Sequence, residues 1–164
     1  MTKADDYNIL IVCTGNTCRS AMAKGITEKL VADMNLNNIN IDSAGTGTMP
    51  GMPATDYAIA VAAHWDIDLT SHRSKPLTPE LILKANLILA MASEHVETIL
   101  HHDKTACSKT YLLKGFPQPY NYSQERIEDP IGGSMEQYNQ TFLELDEIIR
   151  KIFPQIIELS RAHG

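Results

Sequence analysis

Residues 13 to 20 read Cys-Thr-Gly-Asn-Thr-Cys-Arg-Ser, placing a thiol and a guanidinium six positions apart in a short polar segment. If that segment is a loop leading into a helix, the backbone N–H groups of Thr14, Gly15, Asn16, Thr17, Cys18 and Arg19 can curl round a tetrahedral dianion. The positive end of the helix dipole adds to the field, and Arg19 can donate two hydrogen bonds to the anion's oxygens. The same field favours the thiolate of Cys13, and cysteines in such settings fall to about 4 to 7 from about 8.5. Ser20, just inside the helix, can donate a hydrogen bond that steadies the thiolate and lets it leave again. Gly15 and Asn16 are the residue types for tight, left-handed turns. A thiolate beside a bound phosphate can accept a phosphoryl group, and it then needs an acid to protonate the leaving atom. Asp129, in Asp-Pro-Ile-Gly-Gly and stiffened by Pro130, is the loop carboxylate that stands out for that work.

Taken alone, a cysteine and an arginine at this spacing are a weak signal, so the flanking elements carry much of the weight. Before the segment stands Asn8 to Cys13 (NILIVC), a continuous β-branched and apolar run suited to a strand covered on both faces. After it, Ser20 to Met34 has helix-forming composition, with Ala23, Ile26, Leu30 and Met34 along one face. Further strands are expected at Ile39 to Asp42, Leu87 to Met91 and Thr110 to Leu113. Helices are expected at Thr55 to Trp65, capped by Thr55 or Asp56, at Ser93 to about His101, and from about Ser134 to Ala162. In the last of these Tyr138, Phe142, Leu145, Ile149, Ile152 and Phe153 share one side, and Pro154 should kink or restart it. Thr46 to Pro53 and Gly115 to Gly133 read as surface loops. Alternating strands and helices imply a three-layer α/β/α fold around a central four-stranded parallel sheet, with the site at the carboxyl end of the first strand.

A chain of 164 residues, 43% of them hydrophobic, is the size of one domain, residues 1–164. The formal charge of −6 gives no reason to bind nucleic acid, so any anion site must be local. No segment approaches the roughly 20 apolar residues of a membrane span. Nothing at the amino terminus resembles an export signal, and three cysteines argue against a disulfide framework, which together point to the cytoplasm. His64, His95, His101 and His102 read as solvated side chains, and neither a phosphate-binding GxxxxGK[ST] loop nor an HExxH metal motif occurs, so no metal and no cofactor are expected.

At this point the residues resemble the low-molecular-weight protein tyrosine phosphatase family, whose first strand runs into a Cys-x-Gly-Asn-x-Cys-Arg-Ser loop. The resemblance extends over about residues 7 to 160, through Ser-Ala-Gly-Thr at 43 to 46, Asp-Leu-Thr-Ser-His-Arg at 68 to 73, Leu-Ile-Leu-Ala-Met at 87 to 91, and Asp-Pro at 129 and 130. It implies a phosphotyrosine protein phosphatase I-like fold and a metal-independent hydrolase acting on phosphorylated proteins, as a monomer or with weak self-association. In that reading Cys13 forms a phosphocysteine, Arg19 clamps phosphate, and Asp129 is acid in the first step and base in the second. Asn16, Ser20, Ser43 and His72 form a network holding the loop, and Cys18 bonds reversibly to Cys13 under oxidation. Met49 and Ile131 fall near positions that wall the substrate pocket.

The chain departs from the family's pattern at Ala21, where a proline commonly begins the helix, and at Ile131-Gly132, where animal members carry tyrosines. Thr17 stands where tyrosine-directed members commonly have Ile, and it resembles the protein-arginine phosphatase branch, as does Asp-Pro-x-Gly-Gly-Ser at 129 to 134. The alternatives are therefore a tyrosine-directed and an arginine-directed phosphatase. A thiol-dependent arsenate reductase shares the loop but needs two further neighbouring cysteines, whereas Cys107 stands alone. A phosphate-dependent binding module without turnover would have no need of Asp129.

Overall fold

The computed structural model describes residues 6–121 and 123–163. Strand β1 (Tyr7–Cys13) is followed by helix α1 (Arg19–Asp33), strand β2 (Ile39–Gly45) and helix α2 (Asp56–His64). Helix α3 (Pro79–Lys84), strand β3 (Leu87–Ala90) and helix α4 (Ser93–His102) come next. A 3-10 segment at Lys104–Lys109, strand β4 (Thr110–Leu112) and helix α5 (Met135–His163) complete the order. The four strands are all parallel, in the order β2-β1-β3-β4.

The period-2 alternation of strand side chains divides the apolar runs between two layers. Ile9, Ile11, Leu87 and Leu89 face one way and pack with Met22 and Ile26 of α1 and Phe142 and Ile149 of α5. Leu10, Val12, Ile88 and Ala90 face the other way, against Ile82 of α3 and Val96 and Ile99 of α4. Because these two inner strands are covered on both faces, β1 and β3 read as unbroken apolar runs rather than as alternating ones. Each such side chain contributes about 1.5–3 kcal/mol by leaving water. Phe142 and the rest of the stripe predicted for the last helix are buried. Of the kink or restart expected at Pro154 there is no restart, the helix being continuous through it.

Two further differences from the sequence-based expectations bear on the site. β2 does not stop at Asp42. Ser43, Ala44 and Gly45 continue the ladder opposite Ile11, Val12 and Cys13, because pairing with the central strand outweighs the weak strand preference of Ala and Gly. α3 was not anticipated, although Thr78 caps it by accepting from the Leu81 amide and Pro79 occupies its first turn.

From β2 the chain crosses over β1 to reach β3, so the order reverses beside β1. A crevice therefore opens beyond the carboxyl ends of β1 and β3, with α1 on one side and α4 on the other. This is where open parallel sheets place their ligands.

Candidate active site

β1 ends at Cys13 and α1 begins at Arg19, so residues 14 to 18 have to turn the chain through the crevice. Asn16 makes the turn with φ of +57°, a left-handed conformation that Asn tolerates better than most residues, whereas Gly15 does not adopt one. Asn16 is fully buried and its side chain is fully used. Its Nδ2 donates to Ser20 Oγ at 2.8 Å and to Ser43 Oγ at 2.9 Å, and its Oδ1 accepts from the Lys75 amide at 2.9 Å. The Asn16 carbonyl accepts from His72 Nε2 at 2.6 Å. The four residues of the expected network are thus brought together, and Ser43 arrives through the unforeseen extension of β2. Gly45 belongs to the same arrangement, since a Cβ there would lie 2.5 Å from the Thr14 carbonyl oxygen.

The Cys13 Sγ lies 2.9 Å from Ser20 Oγ and accepts from the Asn16 amide at 3.2 Å. Because Asn16 Nδ2 already donates to Ser20 Oγ, the Ser20 hydroxyl proton is left for sulfur. Burial pushes the Cys13 thiol up from its ordinary range, and the Ser20 hydroxyl, the Ser20 amide, the Arg19 charge and the Asn16 amide pull it back down, in that order. Burial prevails, against the lowered value expected from the sequence, because Cys13 sits inside the core cluster on the α1 side of the sheet.

Arg19 is 1% exposed. Its Nη1 donates to the Ile127 carbonyl at 2.8 Å, and its Nη2 lies 3.5 Å from Thr14 Oγ1 and 3.4 Å from Asp129 Oδ2. Its Nε is buried and has no hydrogen-bond partner among the described residues. An unsatisfied buried donor of this kind carries a cost unless something binds there, and an oxyanion in the loop would satisfy it. The loop from 115 to 133 therefore both aims the guanidinium, through Ile127, and brings Asp129 to it. Asp129 keeps about a third of its side chain exposed and accepts from the Ile131 amide at 3.1 Å, so it stands at the mouth of the loop.

Met49 and Ile131 are 68% and 59% exposed, on the two loops that flank this mouth. The first of those loops is tied to the anion loop by the amides of Thr46 and Gly47, which donate to the carbonyls of Cys13 and Thr14 at 2.9 and 3.0 Å. Thr17 Oγ1 lies 3.9 Å from the buried Cys18 Sγ, a contact in which either atom can donate, and the Thr17 carbonyl accepts from the Thr55 amide at 3.0 Å. Cys18 Sγ packs 3.3 Å from the Tyr138 hydroxyl, which burial pushes up to about 12. Cys13, Cys18 and Cys107 are all free thiols, and Cys107 is exposed.

Three residues that complete the site were not anticipated: Ile127, which acts through its carbonyl; Tyr138, read only as core; and His95. Read from the sequence as solvated, His95 is fully buried at the start of α4, where its ring meets the Thr14 hydroxyl. Its place three residues after Ala92, immediately beyond β3, was the available signal, because that is where a side chain reaches back to cap a helix and where the crevice opens. His64, His101 and His102 are exposed, as expected. Among the described residues no group of three His, Cys, Asp or Glu side chains is placed to hold a metal ion, and no helix is long and apolar enough to cross a membrane.

Comparison with known proteins bears on the family and the fold. Residues 8–162 match the model of the low molecular weight phosphotyrosine protein phosphatases. The chain is 38% identical over 149 residues to a protein-arginine-phosphatase of Bacillus subtilis (strain 168), covering 91% of this chain and 96% of that one. It is 34% identical over 139 residues to the low molecular weight protein-tyrosine-phosphatase Etp of Escherichia coli (strain K12), covering 81% and 90%. Its fold superposes with a TM-score of 0.83, at 36% identity and covering 91% and 95% of the two chains, on a YwlE arginine phosphatase mutant with a phosphorylated active-site serine. A cysteine, an arginine and an aspartate converging on one loop at the end of β1, within a match of this extent, place the chain in the low molecular weight phosphotyrosine protein phosphatase family.

Proposed function

We propose that this chain is a phosphoprotein phosphatase working through a phosphocysteine on Cys13. The observation that carries the reading is the buried, unpartnered Arg19 Nε beside a loop that already presents Cys13 Sγ to the Ser20 hydroxyl. In the first step Cys13 gives its proton to solvent and attacks phosphorus as the thiolate, the form that the Ser20 hydroxyl, the Asn16 amide and the Arg19 charge favour against burial. The bond from phosphorus to the leaving atom breaks, and that atom takes the proton of the Asp129 carboxyl. In the second step the Asp129 carboxylate takes a proton from water, the water oxygen bonds to phosphorus, and the sulfur departs as the thiolate held by Ser20. The loop amides and Arg19 stabilise the equatorial oxygens in both steps. The phosphorylated active-site serine in the YwlE arginine phosphatase mutant supports a covalent intermediate at this position.

The leading substrate is a phosphotyrosine side chain of a protein. Phosphoarginine is the second reading, favoured by two observations: Thr17 places a hydroxyl in the anion loop, and the Bacillus subtilis relative is named a protein-arginine-phosphatase. A polar loop residue can orient water or a guanidinium leaving group, where Ile offers only apolar contact. Free thiols suit the reducing cytoplasm, and we expect a monomer or weak self-association.

The test is phosphate release from a phosphotyrosine peptide and a phosphoarginine peptide by wild type and Thr17→Ile, without added metal. Preference for phosphoarginine, reversed by Thr17→Ile, assigns the arginine activity. Preference for phosphotyrosine in the wild type makes Thr17 neutral. Release from neither peptide overturns the proposed function.

A further inference from the structure

Thr14 and His95 meet across the crevice in a contact that the chemistry above leaves unused. The His95 Nδ1 accepts from the Ala92 amide at 3.0 Å. The single proton of the neutral ring is therefore on Nε2, and Nε2 lies 2.8 Å from Thr14 Oγ1, so His95 donates and Thr14 accepts. A second ring proton would set Nδ1–H against the Ala92 N–H. Burial and the Arg19 charge also act against it, holding the ring down to about 4. Arg19 Nη2, which can only donate, lies 3.5 Å from the same Thr14 oxygen.

A hydroxyl has two lone pairs and one proton. With donors on both lone pairs, the Thr14 proton must be given to a third group. Thr14 is exposed, directly follows Cys13, and contributes its own backbone to the anion loop. The Arg19 nitrogen that reaches it also reaches Asp129, at 3.4 Å, so the hydroxyl lies on the Asp129 side of the loop mouth.

We propose that the Thr14 hydroxyl is a substrate-contacting donor, its proton aimed at a non-bridging oxygen of the bound phosphoryl group by His95, which acts as a positioning residue. The inference rests on the reading of the loop as a phosphoryl site, but it concerns anion binding and can be tested without turnover. A hydrogen bond to a charged group contributes enough for its loss to weaken binding about ten- to a hundredfold.

The experiment measures the affinity of inorganic phosphate, from its protection of Cys13 against iodoacetamide, together with kcat/KM for phenyl phosphate. The variants are Thr14→Val, Thr14→Ser, His95→Asn and the Thr14→Val, His95→Asn double. Thr14→Val, which keeps the shape and loses the hydroxyl, is expected to weaken phosphate affinity and kcat/KM at least tenfold, and Thr14→Ser to recover most of that loss. His95→Asn can still accept from the Ala92 amide but has no donor that reaches Thr14. It is expected to fall toward Thr14→Val, and the double variant to be no worse than Thr14→Val alone.

Wild-type phosphate affinity in Thr14→Val overturns the proposal. Wild-type affinity in His95→Asn reduces His95 to a helix cap and overturns its positioning role. If His95→Asn fails to fold, the Val and Ser variants of Thr14 decide the role of the hydroxyl, and His95→Ala takes the place of His95→Asn in deciding the positioning role. Phosphate affinity that depends on Thr14, in a protein that hydrolyses no phosphopeptide, supports this inference while the proposed function fails.

Discussion

Replacing Ser20 by Ala removes the hydroxyl that lies 2.9 Å from Cys13 Sγ, the largest of the influences that lower its thiol. A hydrogen bond to a charged group is worth about 1.5–3 kcal/mol, and one pKa unit corresponds to about 1.36 kcal/mol. The Ser20 amide, the Arg19 charge and the Asn16 amide all remain, so the lower end applies, about tenfold in the thiolate fraction at a fixed pH below the midpoint. The sign follows from which form is stabilised: the hydroxyl favours the thiolate, so its loss moves the titration to higher pH. The assay is the rate of Cys13 alkylation by iodoacetamide as a function of pH. Below both midpoints the variant should react about tenfold more slowly than wild type, and above both midpoints the two should react alike. Ser20 Oγ also accepts from Asn16, so the loop could loosen for an unrelated reason. Ser43→Ala is the control, because it removes the other hydroxyl held by the same Asn16 amide and leaves the Ser20 contact to sulfur intact. An unshifted midpoint in Ser20→Ala, or an equal shift in Ser43→Ala, would refute the reasoning.

Asp129→Ala should lower kcat about 10²- to 10⁴-fold for aryl phosphates whose phenol has a high pKa, and much less for activated leaving groups; a uniform loss across a leaving-group series would remove Asp129 from the role of acid. After a brief pulse of peroxide followed by thiol reductant, Cys18→Ser should recover less activity than wild type, since a disulfide protects Cys13 from higher oxidation. Equal recovery ends that idea. Gly45→Ala would set a methyl group 2.5 Å from the Thr14 carbonyl, and the loop backbone would have to move. Phosphate affinity should drop while the melting temperature changes by only a few degrees, and unaltered affinity would show that the close approach is dispensable.

Much of this arrangement is legible in the order of the residues. Continuous apolar runs at Asn8 to Cys13 and Leu87 to Met91 announce strands buried on both faces, and the polar turn between the first run and an amphipathic segment announces an anion loop. The features that are not legible have a physical character in common. Ser43 to Gly45 are poor strand formers held by their neighbours in the sheet, which no local pattern encodes. The Ile127 contribution comes from a carbonyl, a group every residue possesses, so its side chain gives no hint of it. His95 looks like one more helical histidine until the sheet order places α4 beside the loop. Burial also reverses a sequence-based expectation: the polar surroundings of Cys13 are visible in its neighbours along the chain, but the core packed behind its sulfur is not.

The Asn16 side chain joins pieces of chain that are far apart: α1 through Ser20, β2 through Ser43, and the segment before α3 through the Lys75 amide, while His72 holds the Asn16 carbonyl. The eight residues from Cys13 to Ser20 are therefore not a portable module. Grafted into another parallel sheet without counterparts of Ser43, His72 and the Lys75 amide, they would present a left-handed Asn whose amide keeps Ser20 as its one remaining partner, and the loop would relax out of the shape that receives an anion. What would have to be transplanted is the whole edge of the sheet from β1 to the segment before α3.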